Sequence, residues 1–213
     1  MKEPSISFKN YHFKPYIEQS LKRLHFNRPT QVQSLVIPRA IKGESLMVES
    51  ATGSGKTHAF LLPILQNLRE HEQYVQTIII SPTRELATQL YQVALEIIKN
   101  SGLAIIIAKT IGGSDREAEL KKWSKSQPHI VIGTIGRIND LVISSNVLKI
   151  HTAKTIVIDE ADMIFEEKEM LEVDKIMGKV QGKTQFLIFR ATISKVLRHL
   201  LNKYLDNIAN ISL

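Results

Sequence analysis

The run Ser50-Ala51-Thr52-Gly53-Ser54-Gly55-Lys56-Thr57 stands between a short apolar segment, Leu46-Met47-Val48, and a segment with the apolar face of a helix, Ala59-Phe60-Leu61-Leu62 with Ile64-Leu65. A glycine-rich turn between a strand and a helix aims several backbone N–H groups, and the positive end of the helix dipole, at one point. Gly53 and Gly55 permit backbone angles and a close approach that a side chain would block. Lys56 can reach a terminal phosphate, and the Thr57 hydroxyl can hold Mg²⁺. The reading is a cradle for a nucleoside triphosphate. The strict motif has Gly where Ser50 stands, but the half from Gly53 to Thr57 is intact and lies in the strand–turn–helix context the motif requires.

On either side of the cradle, helical and strand patterns alternate. Residues 1–10 read as an extended lead-in. Apolar residues at helical spacing predict helices over 15–25, from Pro29-Thr30 to near Gly43, and from the cradle to about Glu70. Thr77–Ser81 is a β-branched run, hence a buried strand, and Pro82 breaks it before a helix over 84–99. Strands are expected at 104–111, 129–133, 155–159, 185–189 and 208–213. Helices are expected at 115–125 (capped by Ser114), 136–144, 167–180 and 194–205. The strands are near-continuous apolar runs, the pattern of a parallel β-sheet with helices on both faces. The expectation is therefore one α/β domain over 1–213. In such sheets ligands bind beyond the carboxyl ends of the strands, where 50–57, 81–85, 112–113, 133–137, 159–162 and 190–192 all fall.

Composition narrows the function classes. The 213 residues suffice for a real core, and their formal charge of +7 suits an anionic partner, nucleic acid first. There is no cysteine, which excludes disulfides and thiolate metal sites. No apolar run approaches the ~18 residues of a membrane span, and the first residues lack a signal-peptide core. These features point to the cytoplasm. The basic run Lys121-Lys122-Trp123-Ser124-Lys125 reads as the solvated end of a helix, with Trp123 packing inward.

Asp159-Glu160-Ala161-Asp162 follows the strand Thr155–Ile158. A carboxylate at a strand end beside a phosphate turn is where Mg²⁺ needs a protein ligand, directly or through water, so Asp159 joins Thr57 as a candidate. Glu160, one residue on, faces another way and can orient the attacking water. Phosphoryl transfer asks little more of one domain than a cradle, a metal and a positioned nucleophile.

With Gly53–Thr57 and Asp159–Asp162 in place, the chain resembles the DEAD-box RNA helicases. The likeness covers the whole length. Phe8, and Phe26 with Arg28-Pro29-Thr30-Gln31-Val32-Gln33, resemble the family's upstream aromatic and adenine-reading segment. Pro82–Ala87 matches its first RNA-contact motif, and Gly112-Gly113 its glycine pair. Thr134-Ile135-Gly136-Arg137 resembles the second RNA motif, and Arg190-Ala191-Thr192 the coupling motif. Segments 137–141 and 202–205 further resemble bacterial cold-shock-type members.

The resemblance implies the first of two RecA-like P-loop NTPase domains, with a second helicase domain absent from this chain. It implies ATP bound by residues 50–57 with Phe26, Arg28 and Gln33. It implies single-stranded or duplex RNA gripped along its backbone by Arg84, Gly113, Thr134, Gly136 and Arg137. Hydrolysis would be coupled to strand separation through Asp162, Arg190 and Thr192. Three positions depart from the family pattern: Ser50 for a small Ala, Ile135 for a Pro, and Arg190 for a Ser. Arg190 is the serious one, since its long cation either pairs with Asp162 or swings to solvent or RNA. The alternatives to an RNA helicase half are a P-loop translocase acting on DNA and a non-enzymatic fragment binding RNA or a partner.

Overall fold

A computed structural model describes residues 7–163, 167–190, 203–204 and 208–213. Of the extended lead-in expected over 1–10, residues 1–6 lie outside the described residues, and the part from Phe8 is instead a 3-10 turn, Phe8–Tyr11, capped by Ser7. Helices α1 (Pro15–Arg23) and α2 (Gln31–Ile41) precede strand β1 (Leu46–Glu49). Alternation then follows: α3 (Lys56–Asn67), β2 (Thr77–Ser81), α4 (Arg84–Ile98), β3 (Ile107–Thr110), α5 (Arg116–Lys125) and β4 (Ile130–Thr134). Next come α6 (Ile135–Asn139), continued by a π-helical turn over Asp140–Ser144, then β5 (Thr155–Ile158), α7 (Glu167–Met177), β6 (Gln185–Arg190) and β7 (Ala209–Ser212).

Among the described residues these strands form one seven-stranded sheet in the order β3-β4-β2-β5-β6-β1-β7, with every pairing parallel. Side chains alternate between its faces. Val48, Ile79, Ile132, Val157, Leu187 and Phe189 meet α1 to α4 on one face. Met47, Ile78, Ile80, Val131, Ile156 and Ile188 meet α5, α6 and α7 on the other. Both faces are buried, which explains why the strands read as unbroken apolar runs.

Several expected boundaries move. The strand predicted from 104 begins at Ile107. Asp115, not Ser114, caps α5 by accepting from the Ala118 N–H, while the Ser114 hydroxyl turns back to the Ile111 carbonyl. The helix predicted to 180 ends at Met177, ahead of the turn at Gly178. Trp123 is buried under the Lys122 ammonium, as the basic run suggested. The expected helix 194–205 and Thr192 lie outside the described residues, apart from 203–204. No helix among the described residues is long and apolar enough to cross a membrane.

Candidate nucleotide site and nucleic-acid groove

Parallel pairing puts every strand's carboxyl end on one rim, so the cradle after β1 and the acids after β5 share it. One strand, β6, lies between them. Gly53 and Gly55 adopt φ of 80° and 97°, left-handed angles that need glycine. Gly55 opens α3, and no side chain caps that helix end, so its first N–H groups remain directed at the cradle. Lys56 is buried and runs across the rim. Its Nζ donates to Glu160 Oε1 at 2.9 Å and to the Ser50 carbonyl at 3.4 Å. Ser50 is buried too, and its hydroxyl accepts from Ser54 Oγ at 3.2 Å. Ala51 and Thr52 are exposed at the mouth. Thr57 follows Lys56 in the first turn of α3.

Glu160 leaves β5 at φ 46°, an angle rare for a residue with a side chain, and its carboxylate lies against Lys56. Asp159 continues the β5 pairing, donating its N–H to Ile80 O at 3.0 Å. Its carboxyl is buried, and Oδ1 has no hydrogen-bond partner among the described residues. Burial, reinforced by the Glu160 carboxylate and opposed by the Lys56 ammonium, pushes the Asp159 carboxyl up to about 6. A buried acceptor with nothing to accept from is the donor chemistry a hard cation takes.

Gln33 ties α2 to the cradle. Its Oε1 accepts from the Thr30 N–H at 2.9 Å and its Nε2 donates to the Gly55 carbonyl at 3.1 Å. An amide carries two N–H groups and two lone pairs, so one of each remains. Phe26 is exposed and meets the His58 ring edge-on, with centroids 4.7 Å apart. Arg28 is exposed on the same approach to α2.

A second hollow, an open groove of about 710 Å³, is lined by Pro82, Thr83, Arg84, Glu85, Gly112, Thr134, Gly136, Arg137 and Asp140. It gathers the ends of β2, β3 and β4. Arg84 lies over the glycine pair: a Cβ on Gly112 would meet its Nη2 at 2.7 Å, and one on Gly113 its Nη1 at 3.3 Å. Arg137 is bound to two acids that the sequence reading missed. It donates to Glu119 Oε2 through Nε at 2.9 Å and to Asp140 Oδ2 through Nη1 at 3.0 Å. Asp140 stands three residues on, a helical spacing that signals the pair. Glu119 comes from another helix and carries no such signal. Ile135, the departure from Pro, is buried and anchors the start of α6 in the core.

Arg190 does not swing to solvent or toward the groove. It ends β6, is 1 % exposed, and holds Nη2 4.0 Å from Glu49 Oε2 on the neighbouring strand β1. The physical reason is position: an interior strand flanked by β5 and β1 leaves its last side chain enclosed. Asp162 follows in the short turn Ala161–Met163.

A glycine-rich turn opening a helix, with paired acids across one strand of a parallel sheet, defines a P-loop domain of the RecA-like fold. The model of the family described as DEAD/DEAH box helicase matches residues 30–200, and the chain belongs to that family. It is 44% identical over 200 residues to the DEAD-box ATP-dependent RNA helicase CshB of Listeria monocytogenes, covering 94% of this chain and 46% of that one. It is 43% identical to CshB of Bacillus subtilis, covering 97% of this chain and 47% of that one. The chain thus spans about half the length of these curated relatives. Among solved structures it resembles a DEAD box protein from the hyperthermophile Methanococcus jannaschii, with TM-score 0.88, 29% identity, and 97% of this chain and 55% of that one covered. It also resembles a hypothetical ATP-dependent RNA helicase from Sulfolobus tokodaii, with TM-score 0.84 and 28% identity, covering 94% of this chain and 57% of that one.

Proposed function

We propose that this chain is the ATP-binding and RNA-backbone-binding half of a bacterial cold-shock-type RNA helicase, working with a second helicase domain in the cytoplasm. One observation carries the reading: the Lys56 ammonium crosses from the cradle to Glu160 at the end of β5, 2.9 Å away. A cation and a carboxylate in contact across a phosphate cradle form a pair that a terminal phosphate can open. The phosphate takes Lys56, and Glu160 is released to orient a water.

Thr57 and Asp159 would hold Mg²⁺, which when bound neutralises charge on the phosphate oxygens. Gln33 would read adenine with its remaining N–H and lone pair, and Phe26 would cover the ring. Arg84, Gly113, Thr134, Gly136 and Arg137 would track the sugar-phosphate backbone, giving sequence-tolerant, salt-dependent affinity. Asp162, Arg190 and Thr192 would link the nucleotide state to strand separation, with Arg190 acting from inside the sheet. Without a second domain the chain is expected to hydrolyse ATP barely at all, since an arginine supplied to such a site is worth ~10³–10⁵ in rate.

Calorimetry with ADP and Mg²⁺ tests the cradle: wild type binds, and Lys56→Ala loses most of the affinity. Single-stranded RNA and DNA of equal length test the groove, with RNA favoured and Arg84→Ala weakening it. ADP binding that is indifferent to Lys56 would overturn the nucleotide reading. Equal affinity for DNA would favour a DNA translocase instead.

A further inference from the structure

We propose that Glu119 occupies, within the chain itself, the place on Arg137 that an RNA phosphate takes, so that RNA enters the groove by displacing a carboxylate. The inference rests on the RNA reading of the groove given above. The Arg137 side chain forms part of the groove wall and is only 10% exposed. Its guanidinium presents two edges, each filled by a different acid. Nε donates to Glu119 Oε2 at 2.9 Å, and Nη2 donates to the same oxygen. Nη1 donates to Asp140 Oδ2 at 3.0 Å. The Nε/Nη2 edge is a fork suited to bidentate binding of a phosphate.

The two acids are anchored differently. Asp140 is clamped by Arg116, whose Nε and Nη2 each donate to it at 2.8 Å. It therefore stays in place and holds the Arg137 guanidinium at the wall. The Glu119 carboxylate has only Arg137 and the Ser114 hydroxyl, at 3.1 Å, as hydrogen-bond partners among the described residues. It is the member free to withdraw. The four charges of Arg116, Arg137, Asp140 and Glu119 sum to zero, so an arriving phosphate meets a neutral cluster with a carboxylate already on the cation it needs. Arg84 is left as the groove cation without a carboxylate partner among the described residues. Glu119 is therefore a positioning and competing group that sets how tightly the groove takes RNA.

The test is fluorescence anisotropy of this chain with a labelled single-stranded oligouridine over a salt series. Glu119→Gln keeps the side chain's size and removes its charge. It should tighten binding about two- to fivefold, the upper range for an ion pair that solvent still reaches. It should also steepen the fall of log K with log salt by about 0.7, one more phosphate contact on a single strand. Arg137→Ala in the Glu119→Gln background should abolish both gains. Glu119→Ala, read beside a thermal melt, should shift affinity in the same direction even if it lowers stability. Unchanged or weaker RNA binding by Glu119→Gln would overturn the proposal, because a pair that merely fixes α5 gives that result. So would a gain that persists without Arg137. The RNA reading fails separately if wild type shows no salt-dependent RNA affinity and Arg84→Ala changes nothing.

Discussion

At the residue scale the cradle depends on one atom's absence. Gly55 sits at φ 97°, and a Cβ there would lie 2.6 Å from Gln33 Nε2 and 3.0 Å from Thr30 Oγ1. Gly55→Ala thus combines a left-handed backbone with a collision against the side chain that ties α2 to the cradle. It is expected to lose about 1–2 kcal/mol from the backbone alone, read as a lower urea midpoint, together with weaker ADP binding by calorimetry. A midpoint within error of wild type would show that the turn tolerates a side chain. Glu160, at φ 46°, carries similar strain without being glycine. A strained residue touching Lys56 fits a site where geometry is kept at the expense of stability.

At the element scale, two contacts tie the sheet edge to what surrounds it. Gly133 lies on β4 opposite Thr110 on β3, and a Cβ at Gly133 would fall 2.0 Å from the Thr110 carbonyl oxygen and 2.1 Å from its hydroxyl. Because backbone cannot step aside as a side chain can, Gly133→Ala should cost at least ~1–3 kcal/mol, measured by urea denaturation. It should also distort the groove that begins one residue later. His129, just before β4, is buried. Its Nδ1 accepts from the Ile106 N–H at 3.0 Å, so Nε2 carries the proton and donates to the Glu70 carbonyl at 3.2 Å. Burial lowers its pKa below the usual 6.5. The folded chain then binds fewer protons than the unfolded one. The stability linked to His129 is fully present above about 6.5 and is lost as pH falls from there through the lower folded value. In denaturation between pH 8 and pH 5 that loss should show as the difference between wild type and His129→Gln, which keeps an acceptor and a donor. The difference is needed because the Asp159 carboxyl, raised to about 6, gains stability as pH falls over the same range. Some slope should remain in the variant, since burial lowers His58 in the same direction as His129.

At the scale of the whole molecule, the strand order converts sequence distance into contact. Lys56 and Glu160 lie 104 residues apart and meet because β1 and β5 flank β6. Since the cradle is built on α3, whose Phe60 packs on Phe189 of β6 at 5.1 Å, ligand binding should stabilise the fold it rests on. ADP with Mg²⁺ at ~100 times its Kd should add about 2.7 kcal/mol. That is a rise in Tm of roughly 5–10 °C for a domain of this size. Differential scanning calorimetry checks this, and Lys56→Ala should abolish the rise. A wild-type Tm indifferent to nucleotide would mean that the cradle does not bind it.

Local chemistry was legible in the residues alone. The Gly53–Thr57 turn, the apolar strands, the strand-end acids and the glycine pair each announce themselves within a few positions, because backbone angle, periodicity and charge act at short range. Helix ends were legible only approximately: Ser114 and Asp115 both suit a cap, and the choice fell to Asp115 when the Ser114 hydroxyl found Ile111 instead. Three features belong to the tertiary structure alone. Glu119 reaches Arg137 from a different helix, Arg190 is enclosed beside Glu49, and Gln33 spends half its amide on the cradle. No local pattern encodes them, because each depends on which strands become neighbours, and that is settled by how two apolar faces of one sheet are covered at once.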